Sequence, residues 1–490
     1  MSIDLSTKRR DSFVRLVEAP LNLLVIGGGI VGSGVARDAA MRGLRVGLVD
    51  QYDFASGTSS RSSRLLHGGL RYLEQGRIGL VHEASVEKKV IHQIAPHLAE
   101  PLGFVFPTYR GEGRALWQLR LGVKIYDLLC GGRNFAPSRG FTRAETLRML
   151  PALAADDLAG SVRYFDALTN DARLVIDTLR SAETHGAAVL NYTRFHDAQR
   201  NGSDWSCQLE DRVTGSAFRI RARTIVNATG PWAHLLPHSG VKLRLSKGIH
   251  IVIDRARLPV PSAVVITEGK RILFVLPWGE RVIIGTTDTD YRGTPEDVVT
   301  EPQDIAYLLR TVNEFFPSVA VREADLISTW AGVRPLIANA DGTPSDISRA
   351  HQIRCPEPGW WDIAGGKLTT YRLMAEQAVD QIVRHCGFPR QPCRTARAPL
   401  LRADQITPFS GILPAPCTRE AVEHFMQREW ALRLEDILLR RSGWPYYNRP
   451  AAVPLEQIAG WMAGIAGWSA EKRAAEIAAC RQHASIAPAA

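Results

Sequence analysis

Short, nearly continuous apolar runs alternate along the chain with stretches whose apolar residues recur at helical spacing. The first run, residues 21–26 (LNLLVI), has the length and composition of a buried strand. It leads into GGGIVGSGVARDAAMRG, where Ala36, Ala39 and Ala40 give the predicted helix an apolar face. Residues 44–50 (LRVGLVD) predict a second buried strand that ends in a carboxylate. The order of strand, glycine turn, helix and strand predicts a βαβ unit of a parallel sheet.

A glycine pattern between the first strand and helix points to a dinucleotide. Gly27, Gly29 and Gly32 form G-x-G-x-x-G, and Asp50 lies about 20 residues downstream. The turn requires backbone freedom at Gly27, Gly29 lets the main chain approach a pyrophosphate, and Gly32 lets the helix pack close to the strand. A carboxylate at Asp50 accepts hydrogen bonds from an adenosine ribose and disfavours a 2′-phosphate, which leaves FAD or NAD.

Two later segments favour FAD. Residues 225–232 (IVNATGPW) carry three small residues that would let the backbone lie close to a cofactor: Ala228, Thr229 and Gly230. Residues 362–383 (DIAGGKLTTYRLMAEQAVDQIV) predict another strand, glycine turn and helix, with Thr369 or Thr370 as the helix cap. A helix N-terminus aimed at the flavin N1/C2=O edge would stabilise the negative charge that develops there on reduction. The alternative for this segment is a plain packed junction.

Composition sets the size and class of the molecule. With 490 residues and 45% hydrophobic content, the chain can bury a large core and is long enough for two or three structural units. No run reaches the roughly 20 apolar residues that span a bilayer, and the charged N-terminal segment lacks the apolar stretch of a secretion signal. Seven cysteines without C-x-x-C or metal-ligand spacing predict reduced thiols, no metal site and a cytoplasmic protein.

The charge balance favours anionic partners. Lys and Arg number 60 against 50 Asp and Glu, a net charge of +10. This excess suits nucleic acid, an acidic lipid surface or a phosphorylated substrate. Because it is spread along the chain without a Lys/Arg block or a known nucleic-acid module, the sequence predicts no nucleic-acid partner.

A series of motifs resembles, in order, the landmarks of the FAD-dependent glycerol-3-phosphate dehydrogenases. The motifs are LLVIGGGIVGSGVARDAAMRG, ASGTSSRSSRLLHGGLRYLE, NDARLVIDTL, VNATGPW, KGIHIVI, KRILFVLPW, IIGTTDTDY, AGVRPL and AGGKLTTYR, and they cover about residues 20–380. The resemblance implies an α/β fold with α+β elements, in which a glutathione-reductase-like Rossmann domain for FAD is interleaved with a substrate domain on an antiparallel sheet. The implied FAD-binding domain comprises residues 20–90, 160–245 and 330–385, the substrate or cap domain residues 91–159 and 246–329, and a shortened C-terminal helical domain residues 395–490.

The same resemblance implies a respiratory-type flavoenzyme. It would oxidise sn-glycerol 3-phosphate to dihydroxyacetone phosphate by hydride transfer from C2 to N5 of a non-covalently bound FAD, and pass the electrons to quinone or oxygen. A homodimer and a peripheral position on the cytoplasmic face of the inner membrane are also implied. Two other functions stay open: a dehydrogenase of another polyol phosphate, such as a tetritol phosphate, and a flavin-binding module that no longer turns over.

The resemblance also assigns residues to the cofactor, the substrate and the chemistry. The cofactor contacts are Gly27, Gly29, Gly32, Asp50, Thr58, Ser59, Ser60, Gly68, Gly69, Leu70, Ala228, Thr229, Gly230, Gly366, Lys367, Leu368 and Thr369. Because a buried phosphate demands several directed donors, the substrate is assigned to Arg71, Tyr72, Arg334, Arg349 and Lys367. Either His67 or His250 would take the proton of the C2 hydroxyl. Arg334 and Lys367 complete the catalytic set, and Lys367 could instead sit beside the flavin.

Three further segments are predicted from their apolar spacing. Residues 274–278 and 282–291 (FVLPW and VIIGTTDTDY) predict a hairpin above the pocket. Residues 113–129 predict an amphipathic helix with the apolar stripe Leu116, Leu119, Val123 and Tyr126. Such a stripe among basic residues is typical of an interfacial helix and equally of a packed one. The C-terminal stripe Ile458, Trp461, Met462, Ile465 and Trp468 predicts core, with a membrane anchor as the alternative. The departure from the family after residue 383 is expected to leave the flavin chemistry almost untouched.

Overall fold

The structure, a computed structural model, describes residues 5–74, 76–111, 114–131, 134–269, 271–338 and 351–483. The helices are α1 Leu5–Val17, α2 Ile30–Met41, α3 Arg71–Glu74, α4 Ile78–Ile94, α5 Leu116–Leu129, α6 Arg143–Met149, α7 Asp171–Thr184, α8 Pro302–Phe315, α9 Tyr371–Cys386, α10 Arg419–Arg428, α11 Trp444–Tyr447, α12 Leu455–Ala466 and α13 Ala470–Gln482. The strands are β1 Leu21–Ile26, β2 Val46–Val49, β3 Leu65–Leu66, β4 Glu100–Tyr109, β5 Arg139–Thr142, β6 Leu158–Leu168, β7 Ala188–Leu190, β8 Thr193–Asn201, β9 Asp204–Asp211, β10 Ser216–Asn227, β11 Leu243–Asp254, β12 Ala263–Glu268, β13 Arg271–Trp278, β14 Arg281–Gly285, β15 Thr289–Tyr291, β16 Leu326–Ile337, β17 His351–Glu357 and β18 Trp360–Gly365.

The βαβ unit predicted near the N-terminus lies at the centre of the first sheet. Strand β1 pairs in parallel with β2 on one side and with β10 on the other, and β18 continues the parallel sheet beyond β10. The order is β17-β18-β10-β1-β2-β7, and β9 and β8 extend β10 as antiparallel strands. The first predicted strand is confirmed over its full length, and the second is shorter than predicted, so that Asp50 directly follows it.

Both faces of the first sheet are covered, which explains why its central strands are apolar throughout. Leu23 and Val25 of β1 face a core built with helices α2, α7 and α9. Leu24 and Ile26 face the opposite way, onto α1 and the β8–β9 hairpin. Continuous apolar runs are what a parallel strand buried on both faces requires. The predicted Rossmann-like sheet is therefore confirmed.

The second sheet has ten strands and is mainly antiparallel. Its order is β15-β11-β14-β13-β12-β4-β6-β3, with β16 on β11 and β5 on β6. The predicted hairpin is confirmed as β13 and β14, in which Trp278 pairs with Arg281. One face of the sheet packs under α8 and the other toward α5 and the C-terminal helices. The edge strand β3 delivers the chain to His67 beside the first sheet.

The two amphipathic segments predicted from the sequence are both packed. On α5, Leu119, Val123 and Tyr126 are buried. This face of the helix therefore packs against the protein and does not lie in a membrane interface. In the C-terminal region, Ile458 and Met462 are fully buried in the core shared with the second sheet. The rest of the C-terminal stripe is partly buried against the same core, so its assignment to the core is confirmed. Among the helices described, none has the length and apolar character needed to cross a membrane.

Candidate functional site

A long cleft runs between the two sheets at the carboxyl ends of β1, β10 and β18. Its walls are the first glycine turn, the segment after β2, the segment after β10, the glycine turn before α9, and parts of β11 and β16. The empty volume is about 1890 Å³, part of it open to solvent. Because its walls come from separate segments that extend from the first glycine turn to the turn before α9, the cleft suits an extended ligand such as a dinucleotide.

The first glycine turn has no room for side chains. Gly27 adopts φ +107°, and a Cβ there would lie 2.6 Å from the carbonyl oxygen of Ala228. A Cβ on Gly32 would lie 1.9 Å from the carbonyl oxygen of Gly27, because the helix packs directly against the turn. Gly29 is the N-cap of α2 and lines the cleft, so the N-terminus of α2 is open to an anion. The turn therefore fits a pyrophosphate.

Asp50 lines the cleft at the end of β2. Its Oδ2 accepts a hydrogen bond from the Gly28 N–H at 2.7 Å, and its Oδ1 accepts one from the Tyr52 N–H at 2.9 Å. Burial raises the pKa of Asp50 to about 7, despite these two backbone donors. A carboxylate tied to the glycine turn at this place is the partner expected for a ribose hydroxyl.

The segment after Asp50 supplies further walls of the cleft. The Thr58 hydroxyl donates to the Val333 carbonyl at 2.7 Å, and the Ser59 Oγ accepts from the Ile30 N–H at 3.0 Å, beside the N-terminus of α2. The other predicted cofactor residues on the walls of this cleft are Ala228, Thr229, Gly230, Gly366, Lys367 and Leu368. Of the predicted cofactor contacts, all of which belong to the described chain, Gly69 and Leu70 line a smaller cavity beside the cleft. Four others line neither space: Gly32, Ser60, Gly68 and Thr369.

Thr369 joins the His67 segment to the turn before α9. The His67 N–H donates to the Thr369 Oγ1 at 3.0 Å, and the Thr369 hydroxyl lies 3.2 Å from the His67 carbonyl oxygen. Thr370 occupies the N-cap position of α9, but its side chain makes no capping hydrogen bond to the helix. The cap prediction is therefore correct in position and wrong in mechanism, since this threonine donates to the Lys367 carbonyl at 3.4 Å instead.

A buried polar network lies behind the His67–Gly69 turn. The Gly68 N–H donates to the Tyr126 hydroxyl at 2.9 Å, and Tyr126 donates to the Asp166 carboxylate at 2.5 Å. Lys88, which is fully buried, pairs with the same Asp166 oxygen at 2.7 Å. Sequence reasoning missed this network, because Lys88 on α4 and Asp166 on β6 are 78 positions apart along the chain.

Removing the buried cation of this network should destabilise the fold. Lys88→Met would leave the Asp166 carboxylate uncompensated, and we expect the free energy of unfolding to fall by about 3–5 kcal/mol, measured by urea denaturation. The neighbouring Lys89→Met is the matched control. Lys89 is half-buried and donates to the Cys130 carbonyl, so its loss should cost about 1 kcal/mol or less. Equal losses in the two variants would contradict a structural role for the Lys88 pair.

His250 lies on β11 in the wall of the cleft. Its Nε2 is 2.8 Å from the Ser63 Oγ, and its ring stacks on Trp330 with centroids 4.9 Å apart. Burial, and then the positive charges of Arg334 and Arg64, hold the pKa of His250 well below its ordinary value. The imidazole is therefore neutral at neutral pH and able to accept a proton. Ser63 lines both the cleft and the smaller cavity, a placement that the sequence did not reveal.

The smaller cavity opens from the cleft and has an empty volume of about 980 Å³. Ser63, His67 and Arg334 line both spaces, so the two are continuous there. The remaining wall combines aliphatic side chains with aromatic and polar ones, and the aromatic and polar residues are Tyr72, Phe104, Phe106, Tyr164, Asp166, Arg271, Phe274, Thr286 and Asp288. A compact polar ligand fits this mixture of rings and charges.

Arg334 projects from β16 toward this junction. Its Nη2 donates to the Thr286 Oγ1 at 2.9 Å, and its Nη1 lies 3.4 Å from the Asp288 Oδ1. A Cβ on Gly248 would lie 2.4 Å from the Arg334 Nη2, so glycine at that position makes room for the guanidinium. The sequence singled out Arg334 and missed its positioning partners.

The other predicted substrate residues are placed as follows. The Lys367 Nζ lies 3.9 Å from the ring centroid of Tyr72, so these two form a pair beside Gly69. Tyr72, Gly69 and Leu70 line the smaller cavity. Arg71 is the first residue of α3, and its side chain lies outside the described part of the structure. Arg349 also lies outside the described residues.

Comparison with known proteins gives the chain its relatives. The profile of the family described as FAD dependent oxidoreductase matches residues 22–377. The aerobic glycerol-3-phosphate dehydrogenase of Staphylococcus epidermidis is 36% identical over 409 residues, which cover 80% of this chain and 73% of that protein. The crystal structure of the glycerol-3-phosphate dehydrogenase from Bacillus halodurans complexed with FAD is 27% identical, with a TM-score of 0.79 over 98% of this chain and 97% of that one. The L-alpha-glycerophosphate oxidase from Mycoplasma pneumoniae, with FAD bound, is 16% identical with a TM-score of 0.61 over 77% of this chain and 98% of that one, and supports the fold alone.

Proposed function

Because this chain belongs to the family of FAD-dependent oxidoreductases, with aerobic glycerol-3-phosphate dehydrogenases among its relatives, we infer that it binds FAD and oxidises sn-glycerol 3-phosphate to dihydroxyacetone phosphate. The observation that carries this function is the junction, at Ser63, His67 and Arg334, of the cleft lined by the glycine turn with the smaller cavity. An oxidised hydroxyl group and its acceptor must meet at such a junction.

The walls of the cleft fit FAD. The N-terminus of α2 at Gly29 would hold the pyrophosphate, Asp50 the adenosine ribose, and the turn at Gly366 and Leu368 the flavin ring. When bound, FAD supplies the hydride acceptor that the oxidation of an alcohol requires. The chain's own residues have three other tasks: to bind the phosphate, to orient the hydroxyl and to remove its proton.

We propose that Arg334 and Lys367 bind the substrate phosphate. Arg334 offers a planar fork, and its backing by Thr286 and Asp288 fixes the fork at the mouth of the smaller cavity. Lys367 lines the neighbouring cleft, and its Nζ lies against the ring of Tyr72, which lines the smaller cavity. A cation in the smaller cavity and a second one beside it match a phosphate that carries nearly two negative charges. Arg71 and Arg349 stay predictions from the family resemblance.

We propose that His250 is the base, with Ser63 between it and the substrate. The neutral imidazole can accept a proton at its Nε2, and the atom it contacts there is the Ser63 Oγ. Because Ser63 lines both spaces, the substrate hydroxyl could pass its proton to Ser63 as Ser63 passes its own to His250. His67 also lines both spaces and is the second candidate for the base.

A turnover assay with product identification tests this function. The purified holoprotein would be given glycerol 3-phosphate and an artificial electron acceptor, with glycerol and a tetritol phosphate as comparisons. We expect one dihydroxyacetone phosphate per acceptor molecule reduced by two electrons. Turnover of the tetritol phosphate alone would assign the site to a longer polyol phosphate, and no turnover with any of them would favour a non-catalytic flavin module.

We also propose that α5 rests on an anionic lipid surface. Opposite its buried stripe, the helix exposes a second apolar stripe, with relative exposures of 66% for Trp117, 55% for Leu121, 40% for Ile125 and 73% for Leu128. The basic residues Arg120 and Lys124 are exposed on the same helix. Large apolar side chains beside basic ones at the surface are typical of a helix that lies in a membrane interface. Quinone or oxygen as acceptor and a homodimer stay predictions from the resemblance.

Removing the exposed stripe should release the protein from vesicles. We expect the double variant W117S/L121S to bind phosphatidylglycerol vesicles about 10-fold or more weakly than the wild type in a sedimentation assay, because both side chains would lose apolar burial. Val213→Ser is the control, since Val213 is similarly exposed, at 54%, on a distant β-turn. Binding to neutral phosphatidylcholine vesicles should be weak throughout. Unchanged binding of the double variant to the anionic vesicles would refute this surface.

A further inference from the structure

The segment that follows Asp50 is held from behind by the C-terminal region. Asp53 of this segment is fully buried, and its carboxylate forms ion pairs with two arginines of the π-helical segment Asp436–Ser442. The Arg440 Nε lies 2.5 Å from the Asp53 Oδ2. Arg441 binds the carboxylate with both ends of its fork, Nη1 to Oδ2 and Nη2 to Oδ1, each at 2.7 Å. Although burial opposes ionisation, these arginines hold the pKa of Asp53 below its ordinary value.

The two arginines are themselves fixed by the C-terminal region. The Arg441 Nε and Nη2 donate to the Glu429 carbonyl at 2.9 and 2.7 Å. The Arg440 Nη2 pairs with Asp436 at 2.7 Å, and Asp436 also accepts the hydroxyl of Tyr192 at 2.6 Å. π-Helical turns are rare and frequently lie at functional sites. The arginine pair is therefore a built and rigid support.

The support reaches the cofactor cleft through the residues next to Asp53. The Ala55 N–H donates to the Gly28 carbonyl at 3.0 Å, and a Cβ on Gly28 would lie 2.4 Å from the Phe54 ring. Phe54 also packs edge-on against Trp430 of the C-terminal region, with ring centroids 5.4 Å apart. Since Asp50 binds the Gly28 N–H, the glycine turn and residues 50–55 form one unit that rests on the arginine pair.

Fold stability alone does not require this arrangement. Buried ion pairs are often replaced by apolar residues at no loss of stability, because desolvation offsets their attraction. Here two guanidinium groups converge on one carboxylate directly behind the wall that carries Asp50. A bidentate arginine fixes orientation as well as position. This geometry therefore fixes the conformation of residues 50–55 in the wall of the cleft.

We propose that Arg440 and Arg441 are positioning residues for the adenosine end of the cofactor, which act through Asp53 to hold residues 50–55 in the shape that binds FAD. The C-terminal region is then part of the cofactor site, contrary to the expectation that its departure from the family leaves the flavin chemistry almost untouched. The proposal rests on the binding of FAD in the cleft and does not depend on which substrate is oxidised.

The test is the affinity of the apoprotein for FAD, measured by quenching of FAD fluorescence. We expect the dissociation constant to rise about 10-fold in Arg441→Lys, which keeps the charge and loses the fork, and about 100-fold in Arg441→Met and Asp53→Asn. Arg433→Lys is the matched control, because Arg433 lies in the same region, is exposed and stacks on the Tyr192 ring at 4.7 Å. Its dissociation constant should stay within about twofold of wild type.

Thermal unfolding of each apoprotein separates positioning from stability. A role in stability alone would lower the unfolding temperature of the variants and leave the dissociation constant for FAD within about twofold of wild type; that result would overturn the proposal, as would an equal rise in Arg433→Lys. If an apoprotein does not fold, the rate of FAD release from the diluted holoprotein replaces the titration, with the same order of variants expected. A wild type that binds FAD but ignores glycerol 3-phosphate would refute the proposed function and leave this test intact.

Discussion

Replacing Arg334 by methionine is expected to lower kcat/KM for sn-glycerol 3-phosphate by about 10³-fold, at little cost in stability. Leaving a buried charge without its partner costs about 3–5 kcal/mol, and each 1.4 kcal/mol corresponds to about a factor of ten. The missing charge here would be opposite the substrate phosphate. Arg334 is one-fifth exposed through the cavity, so the fold does not depend on it as it does on Lys88. Steady-state kinetics with an artificial electron acceptor would measure the loss.

Arg334→Lys is the informative companion of this variant. Lysine keeps the charge but cannot reproduce the fork that Thr286 and Asp288 hold in place, so we expect an intermediate loss of about 10- to 100-fold. The loss should appear mainly in KM, because the phosphate is bound equally in the ground state and the transition state. A wild-type kcat/KM in Arg334→Met would remove Arg334 from the substrate site.

Replacing His250 by asparagine is expected to slow the reduction of the flavin by glycerol 3-phosphate about 10²- to 10⁴-fold, the range that general-base catalysis supplies. Asparagine occupies a similar volume and can still bind the Ser63 hydroxyl, but it cannot accept the proton. Ser63→Ala should give a smaller loss of about 10-fold, because His250 would remain and a water molecule could replace the serine. Anaerobic stopped-flow measurement of the flavin absorbance gives both rates.

The pH dependence of flavin reduction is an independent test of His250 as the base. The base is active when neutral, and burial with Arg334 and Arg64 nearby keeps the pKa of His250 well below 6.5. The wild-type rate of flavin reduction should therefore not fall as the pH drops from 8 to 6.5, and should fall only at lower pH, where the imidazole becomes charged. That acid limb should be missing in His250→Asn. If His67→Asn lost the limb and His250→Asn kept it, His67 would be the base.

The sequence predicted best what is local along the chain. The strand, the glycine turn and Asp50 lie within some thirty residues, and each has a separate physical requirement, so their pattern determined both the βαβ unit and its ligand class. The packed stripe of α5 was equally visible as a helical period, but periodicity could not decide between a lipid and a protein partner. The structure shows one apolar face buried and a second one exposed on the same helix.

The residues that the sequence missed owe their roles to contacts between distant segments. Arg440 binds Asp53 although the two residues are 387 positions apart along the chain, and no local sequence pattern distinguishes either of them. Ser63 was visible only as one serine in a serine-rich stretch, and its contact with His250 depends on how β3 and β11 are placed. In the sequence, Lys88 and Asp166 look like ordinary charged surface residues, and only their burial in the structure shows that they form an ion pair. Motifs thus indicated which cofactor the chain binds, whereas the residues that support the cleft could be found only from the tertiary structure.

The most direct test of the central claim is anaerobic titration of the purified yellow holoprotein with sn-glycerol 3-phosphate while the flavin absorbance is followed. The account predicts rapid bleaching by glycerol 3-phosphate, complete at saturating substrate, and none by glycerol, which lacks the phosphate that Arg334 and Lys367 would bind. A flavin that dithionite reduces but glycerol 3-phosphate does not would contradict it.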